Sequence, residues 1–169
     1  MPATVNVNFR TVVHAASNGV ATAFPDVCKT PAPPAPPIPI PYPNVAMSAD
    51  TAQGSSDVKC DGNPIMLQGS NFKMSTGDEA GVAGGVVSGQ IKAKAEFVNF
   101  SFDVMVEGKP VPRLADMMVQ NKGGAPNTPP MPEVQPPAVV VVLPGMPGAE
   151  PAAATAVKYT LASLSEAEG

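Results

Sequence analysis

Two short segments of the chain share one pattern of hydrophobic and polar residues. Residues 58–65 and 104–111 both read β-branched, any residue, apolar, acidic, glycine, polar, proline, β-branched. An acidic residue followed by glycine between apolar segments is a strong hairpin signal, because glycine adopts the positive φ of a tight turn. We therefore predict hairpin turns at Asp61-Gly62 and Glu107-Gly108.

A third, weaker copy of this pattern lies near the start of the chain. Apolar runs at 11–14 and 20–24 flank a loop that contains Asn18-Gly19, and Asn-Gly is again typical of hairpins. Three hairpins in one chain predict internal pseudo-threefold symmetry. The alternative is that such turns merely recur in any β-rich chain, since repeat architectures usually show three or more clear copies.

Alternation of apolar and polar residues predicts further strands. Residues 1–10 alternate strictly from Val5 onward and predict a first strand or a pairing arm. The clearest strand is predicted at 98–106, where two phenylalanines and three valines fall on one face. The expected fold class is all-β, a small domain of hairpins.

The chain contains 22 prolines and 15 glycines. The prolines are concentrated around 31–43 and 126–151, so long helices are excluded from much of the chain. We expect 31–43 to be extended polyproline II and ordered, because Ile38, Ile40 and Tyr42 alternate with proline and give it a side that can pack; the alternative is a flexible linker. The predicted division is a domain at 1–123 and a Pro/Ala-rich extension at 124–169. That extension is expected to have little order, apart from an edge-pairing segment at 139–143 and a short helix near 152–164.

The composition excludes several classes of function. A net charge of −4 argues against a nucleic-acid surface, and no apolar run is long enough for stable membrane insertion. The N-terminus lacks the pattern of a Sec signal peptide. Residues 81–85 are glycine-rich but lack the Gly-Lys-Ser/Thr of a phosphate loop, and a single histidine leaves little room for a hydrolytic triad. We therefore expect no enzymatic activity.

Soft metal ligands are few in this chain. His14, Cys28 and Cys60 are its only histidine and cysteines, and none forms a Cys-x-x-Cys pair. We predict that the three converge and that zinc, if bound, takes water or a carboxylate as its fourth ligand. The alternative is that both thiols are small buried hydrophobes and that His14 is a hydrogen-bonded residue.

Six motifs follow one another between about residues 12 and 121. They are Phe24-Pro-Asp-Val-Cys-Lys-Thr-Pro, Pro39-Ile-Pro-Tyr-Pro-Asn, Val58-Lys-Cys-Asp-Gly-Asn-Pro, Ser75-Thr-Gly-Asp-Glu-Ala-Gly, Lys94-Ala-Glu-Phe, and Phe102-Asp-Val with the following Glu107-Gly-Lys. With these motifs the chain resembles the PAAR-like domain family of contractile injection machines. The resemblance implies a conical β domain on the trimeric VgrG-type spike of type VI secretion or related phage-tail-like devices.

The resemblance also implies a function and a location. We expect a structural tip protein that caps and sharpens the spike, with one copy per trimer, and recruits effector cargo. Assembly is expected in the bacterial cytoplasm, followed by ejection with the spike. The alternative is an effector-binding adaptor or chaperone-like module that never sits on the spike. The broader family holds zinc through three histidines and one cysteine; with one histidine here, a reduced site of His14, Cys28 and Cys60 is expected.

Overall fold

The computed structural model describes residues 3–137, and they are built of β-strands with one turn of 3-10 helix at Ser48–Asp50. The predicted all-β class is confirmed. The strands are β1 (Asn6–Val7), β2 (Arg10–Thr11), β3 (Val20–Ala32), β4 (Ala35–Met47), β5 (Thr51–Ala52), β6 (Lys59–Cys60), β7 (Asn63–Pro64), β8 (Asn71–Phe72), β9 (Lys94–Phe97), β10 (Met105–Val106), β11 (Lys109–Pro110), β12 (Met117–Lys122) and β13 (Met131–Val134). No helix within 3–137 is long and apolar enough to span a membrane.

The strands form one large antiparallel sheet and three separate hairpins. The sheet has the order β4-β3-β13-β12-β9-β8-β5, and the hairpins are β1-β2, β6-β7 and β10-β11. The predicted first strand is thus present, but it is only two residues long. Two buried clusters hold these parts together, and the larger packs Phe72 against Phe97 edge-to-face with ring centroids 6.1 Å apart.

Strand β13 lies inside the sheet between β3 and β12, so the predicted boundary at 123/124 is wrong. The compact unit runs to Pro137. The proline content predicts an extension from residue 124, but Glu133 pairs with Ala21, and the Thr128 hydroxyl accepts the N–H of Gln120 at 2.8 Å. The segments predicted at 139–143 and 152–164 lie outside the described residues.

Strand β4 forms one edge of the sheet and is rich in proline. Four of its five prolines occupy alternate positions, 37, 39, 41 and 43. Val45, two positions further on, donates its N–H away from β3, to the carbonyl of Thr76 at 2.8 Å. Because proline has no N–H, this edge is a poor template for another strand. The predicted polyproline II segment is therefore a paired β-strand, although the prediction that it is ordered is confirmed.

The strand predicted at 98–106 is wrong. The regular strand is β9, which ends at Phe97, while Val98 and Phe102 are 49% and 87% exposed. Local side-chain bonds compete with the ladder here: the Ser101 hydroxyl accepts the N–H of Val104 at 3.1 Å. Within 98–106 only β10, Met105–Val106, is a strand, so alternation of residue types predicted a strand where most of the segment is a loop.

Candidate functional site

Three two-residue hairpin turns share one backbone geometry. Both central residues have positive φ in Asp61-Gly62 (52° and 76°), in Glu107-Gly108 (51° and 74°) and in Asn8-Phe9 (51° and 62°). Such a pair of positive φ values is typical of the type I′ turn, whose twist matches that of the two flanking strands. Two of the three predicted turns are confirmed, and the remaining hairpin, the first in chain order, turns at Asn8-Phe9.

The turn predicted at Asn18-Gly19 is wrong. Gly19 exchanges hydrogen bonds with Ser48, donating its N–H to the Ser48 hydroxyl and accepting the Ser48 N–H, both at 2.8 Å. The flanking segments do not pair with each other, because β3 pairs with β4 and β13, and Val12 forms a bridge with Arg113. Asn18 has a positive φ of 59°, but Asn18 and Gly19 do not form the turn of a hairpin.

Equivalent apolar residues of the three hairpins meet in one buried cluster. The last residue before each turn contributes to it, and so does the fifth residue after that one: Val7, Cys60 and Val106, then Val12, Ile65 and Val111. Leu67 completes the cluster. The pseudo-threefold arrangement therefore exists in the structure. Cys60 holds the place that valine takes in the other two copies, so its thiol packs as a small hydrophobe.

The segments that follow the hairpins also repeat one turn. In each, a carbonyl accepts the N–H of the residue three positions on, at 2.9 Å in all three copies. The side chain of that later residue accepts a backbone N–H of the earlier one in return. The pairs are His14 with Ser17, Leu67 with Ser70, and Arg113 with Asp116. Three unrelated sequences thus build one local structure.

Side chains join the hairpins in cyclic order, and we call this assembly the hairpin ring (residues 4–17, 56–70 and 101–116). Asp61 accepts the N–H and hydroxyl of Thr4, and Glu107 accepts the N–H groups of 56–58. Asn8 closes the circle by donating to both carboxylate oxygens of Asp103, at 3.0 and 3.1 Å. Each turn therefore contacts the segment that leads into a neighbouring hairpin.

These contacts hold the ring carboxyls in their charged form. Donors from Thr4 lower the pKa of Asp61, and the backbone N–H groups of 56–58 lower that of Glu107. The Asn8 amide lowers the pKa of Asp103. Hydrogen bonds to a carboxylate favour its ionised form, so the ring keeps three negative charges at neutral pH.

His14 lies in the ring and uses both of its ring nitrogens. Nδ1 accepts the N–H of Ala16 at 3.2 Å, so Nε2 carries the proton and donates to Asp61 at 3.1 Å. The imidazole is fully buried. This agrees with the alternative that His14 is a hydrogen-bonded residue, since neither nitrogen has a lone pair free for a metal.

Cys28 lies in a different surrounding from His14 and Cys60. Its sulfur is grouped with the carboxylates of Asp26 and Asp78, and all three side chains are buried. Burial and the two carboxylates raise the pKa of Cys28 to about 12. Within 3–137 the predicted convergence of His14, Cys28 and Cys60 is therefore not found.

Comparison with known proteins identifies the family. A family model described as the toxin PAAR-like domain matches residues 19–129, well over half of the chain. The chain belongs to the toxin PAAR-like domain family. The DNase toxin Tse7 of Pseudomonas aeruginosa is 43% identical over 123 residues, which cover 68% of this chain and 32% of that protein. This chain thus matches only about a third of its relative's length, and no solved structure matches it.

The toxin PAAR-like domain of this chain begins before the range that the family model matches. The hairpin of β1 and β2 precedes residue 19, yet it supplies one of three equivalent parts of the ring. Sequence reasoning missed this hairpin because Asn8-Phe9 lacks the glycine of the other turns. It also missed Asp26 and Asp78, although both lie in motifs that carried the family resemblance.

The zinc set of three histidines and one cysteine does not fit this toxin PAAR-like domain. The chain has one histidine. Its two nitrogens are already hydrogen-bonded within the ring, and Cys60 packs among aliphatic side chains. A metal held at the ring by His14 and Cys60 is therefore not supported by their contacts.

Proposed function

We propose that this chain is a spike-tip protein that docks as a single copy on a trimeric VgrG-type spike through the hairpin ring and recruits effector cargo. A single chain meets a threefold axis with equivalent contacts only if it repeats a similar surface three times. The ring has that repeat, and this is the observation that carries the proposal. Assembly in the cytoplasm and ejection with the spike are part of the same proposal.

Exposed apolar side chains on the ring support docking. A valine stands three residues before each turn, and Val5 and Val58 are 38% and 39% exposed. Phe102 and Met105, which lead into the third turn, are 87% and 61% exposed. Exposed apolar side chains that cluster on one part of a small domain often mark an interaction surface. A contact built on such groups depends only weakly on salt.

Phe9 is the strongest single indication of a binding role. It is fully exposed and adopts a φ of 62°, whereas the equivalent positions are Gly62 and Gly108. A bulky residue in this conformation costs of order 1–3 kcal/mol, and such strain concentrates at binding sites. An aromatic side chain held in the open at that cost is suited to be an anchor for the spike.

The test is stoichiometry by native mass spectrometry with a trimeric spike protein. One copy per trimer is expected, in low and high salt alike. Phe9→Asp and Phe102→Asp should each abolish the complex. Ile38→Asp is the matched control, because Ile38 is an exposed aliphatic residue on β4, outside the ring. Three copies per trimer, or equal loss with the control, would contradict the proposal.

The alternative function is an effector-binding adaptor that does not sit on the spike. Co-purification separates the two, since an adaptor captures a toxin but not the trimer. We also keep the prediction that this chain is not an enzyme. The name of the relative describes a DNase, but this chain matches about a third of that protein, so the activity does not transfer with the match. Plasmid cleavage by the purified chain with added magnesium would contradict that prediction.

A further inference from the structure

A buried group of two carboxylates and one thiol lies apart from the hairpin ring. Asp26 and Cys28 on β3 and Asp78 in the loop between β8 and β9 are all fully buried. None of the ion pairs formed within 3–137 includes either carboxylate. Buried charges in proteins are normally paired with an opposite charge or coordinate a metal. The hydrogen-bond donors to these carboxylates are side-chain amides, a backbone N–H and the thiol, so no positively charged side chain is paired with them within 3–137.

The distances within this group suit one metal ion. The sulfur of Cys28 lies 3.5 Å from Asp26 Oδ1 and 3.9 Å from Asp78 Oδ2, and the ligand atoms are all within 4.8 Å of one another. Tetrahedral zinc with Zn–S of about 2.3 Å and Zn–O of about 2.0–2.2 Å separates a sulfur from an oxygen ligand by roughly 3.5 Å. The group is already close to that spacing.

Two asparagines direct amide N–H groups into this group of side chains. Nδ2 of Asn121 donates to the Gln90 carbonyl at 2.9 Å and lies 3.3 Å from Asp26 Oδ1, and Nδ2 of Asn127 donates to the Val27 carbonyl at 2.9 Å and to Asp26 Oδ1. Both nitrogens also lie near Cys28 Sγ, at 3.8 and 3.7 Å. Their orientation is fixed, because each carbonyl oxygen accepts a backbone N–H, from Ala93 at 3.2 Å and from Val87 at 2.8 Å. Donors to sulfur and to ligating carboxylates are typical of the groups that surround a metal site. Such donors suit a thiolate, the form in which a cysteine binds a metal ion.

Asn44 supplies an independent observation at the same place. Its Nδ2 lies 2.6 Å from Asp26 Oδ2 and 2.9 Å from the Ser75 hydroxyl. Its carbonyl oxygen is buried and accepts no hydrogen bond within 3–137. A buried polar atom without a partner is costly, and an amide oxygen is a hard donor for a divalent cation.

We propose that Asp26, Cys28 and Asp78 bind one zinc ion, with the Asn44 carbonyl oxygen or a water as fourth ligand. The site is structural, because all its residues are closed off from solvent. It joins β3, β4 and the loop around Asp78, and it lies among partners that differ from those of His14 and Cys60. Since a buried site cannot load readily in the folded chain, zinc enters as the chain folds.

The experiment uses the full chain expressed with zinc in the medium, with metal content measured by inductively coupled plasma mass spectrometry. One zinc per chain is expected. Cys28→Ser and Asp78→Asn should lose it. Cys60→Ser is the matched control and should keep it, because the only other thiol lies in the apolar cluster of the ring.

A second measurement keeps the proposal testable if the variants do not fold. The unmodified chain is unfolded with chelator and refolded with cobalt(II). A bound thiolate then gives a charge-transfer absorption band that free cobalt lacks, and refolding with chelator alone should lower the thermal midpoint. Absence of the band, or less than about a tenth of a zinc per chain with an unchanged midpoint, overturns the proposal. Loss of zinc in the Cys60 control overturns it as well.

Discussion

The imidazole of His14 donates to the carboxylate of Asp61 across 3.1 Å, joining the first and second hairpin segments. The same carboxylate holds Thr4. Asp61 thus accepts hydrogen bonds both from the buried imidazole of His14 and from Thr4. The hairpin ring therefore depends on Asp61 more than the exposed position of this residue suggests.

Asp61→Ala should lower the thermal midpoint because it leaves the fully buried His14 N–H without an acceptor. Asp61→Asn keeps an acceptor oxygen and a residue type tolerant of positive φ, so it should lose less. Thermal unfolding followed by circular dichroism measures both. Equal midpoints for the wild type and the alanine variant would show that the contact does not stabilise the ring.

Phe9→Asn should stabilise the chain while weakening spike binding. Asparagine tolerates positive φ, so the change should relieve about 1 kcal/mol of strain and raise the midpoint by roughly 2–4 °C. The aromatic anchor is lost at the same time. The two readouts are the midpoint and the amount of complex with the trimeric spike. A variant that is less stable, or that binds as well as the wild type, would refute this role for Phe9.

Stability should fall as the pH rises toward 8. Burial raises the pKa of Glu133 from 4.5 to about 8, with the nearby Asp116 adding to the shift, and neither carboxylate oxygen has a hydrogen-bond partner within 3–137. Between these two values the unfolded chain loses a proton that the folded chain keeps, so the free energy of unfolding decreases by up to about 1.4 kcal/mol per pH unit.

Glu133→Gln should flatten this dependence. Denaturant unfolding between pH 6.5 and 8 measures it, with Glu96→Gln as the control, because the ion pairs of Glu96 with Lys94 and Lys122 leave its pKa lowered rather than raised. A glutamine variant with the slope of the wild type would show that Glu133 does not carry the effect.

Truncation after Gly124 should unfold the domain, whereas truncation after Pro137 keeps all the described residues. The first cut removes β13, and with it the pairing of β3 to β12 through that strand. The comparison is made by amide hydrogen exchange on β3. Equal protection in the two truncated chains would restore the predicted boundary at 123/124.

Local chemistry decided which parts of the fold were predictable. An acidic residue followed by glycine fixes a turn through its own backbone, so two hairpins were found correctly. The hairpin that turns at Asn8-Phe9 has a phenylalanine where a glycine was expected, and no local rule favours phenylalanine at that position. The strand predicted at 98–106 failed for a similar reason, because Ser101 bonds to its own backbone neighbours.

The sequence alone did not predict which side chains distant in the chain would lie together in the fold. Cys28 meets Asp78, which lies 50 residues further along the chain, and nothing in the spacing of the two indicates that contact. Counting soft ligands led instead to His14 and Cys60, whose surroundings are a hydrogen-bonded turn and an aliphatic cluster. Residue type predicted that Cys28 would be buried but not which side chains it would meet.

The cyclic contacts of the hairpin ring also determine when each hairpin can complete its contacts during synthesis. Asn8 reaches Asp103 and residues 56–58 reach Glu107, so the first two hairpins cannot complete their contacts until the third has left the ribosome. Until then the aliphatic faces of both remain uncovered, and a nascent chain in that state is prone to misassociate. Codons that slow translation after the second hairpin has emerged but before the third has should therefore increase aggregation, and the same delay placed after the third has emerged should not.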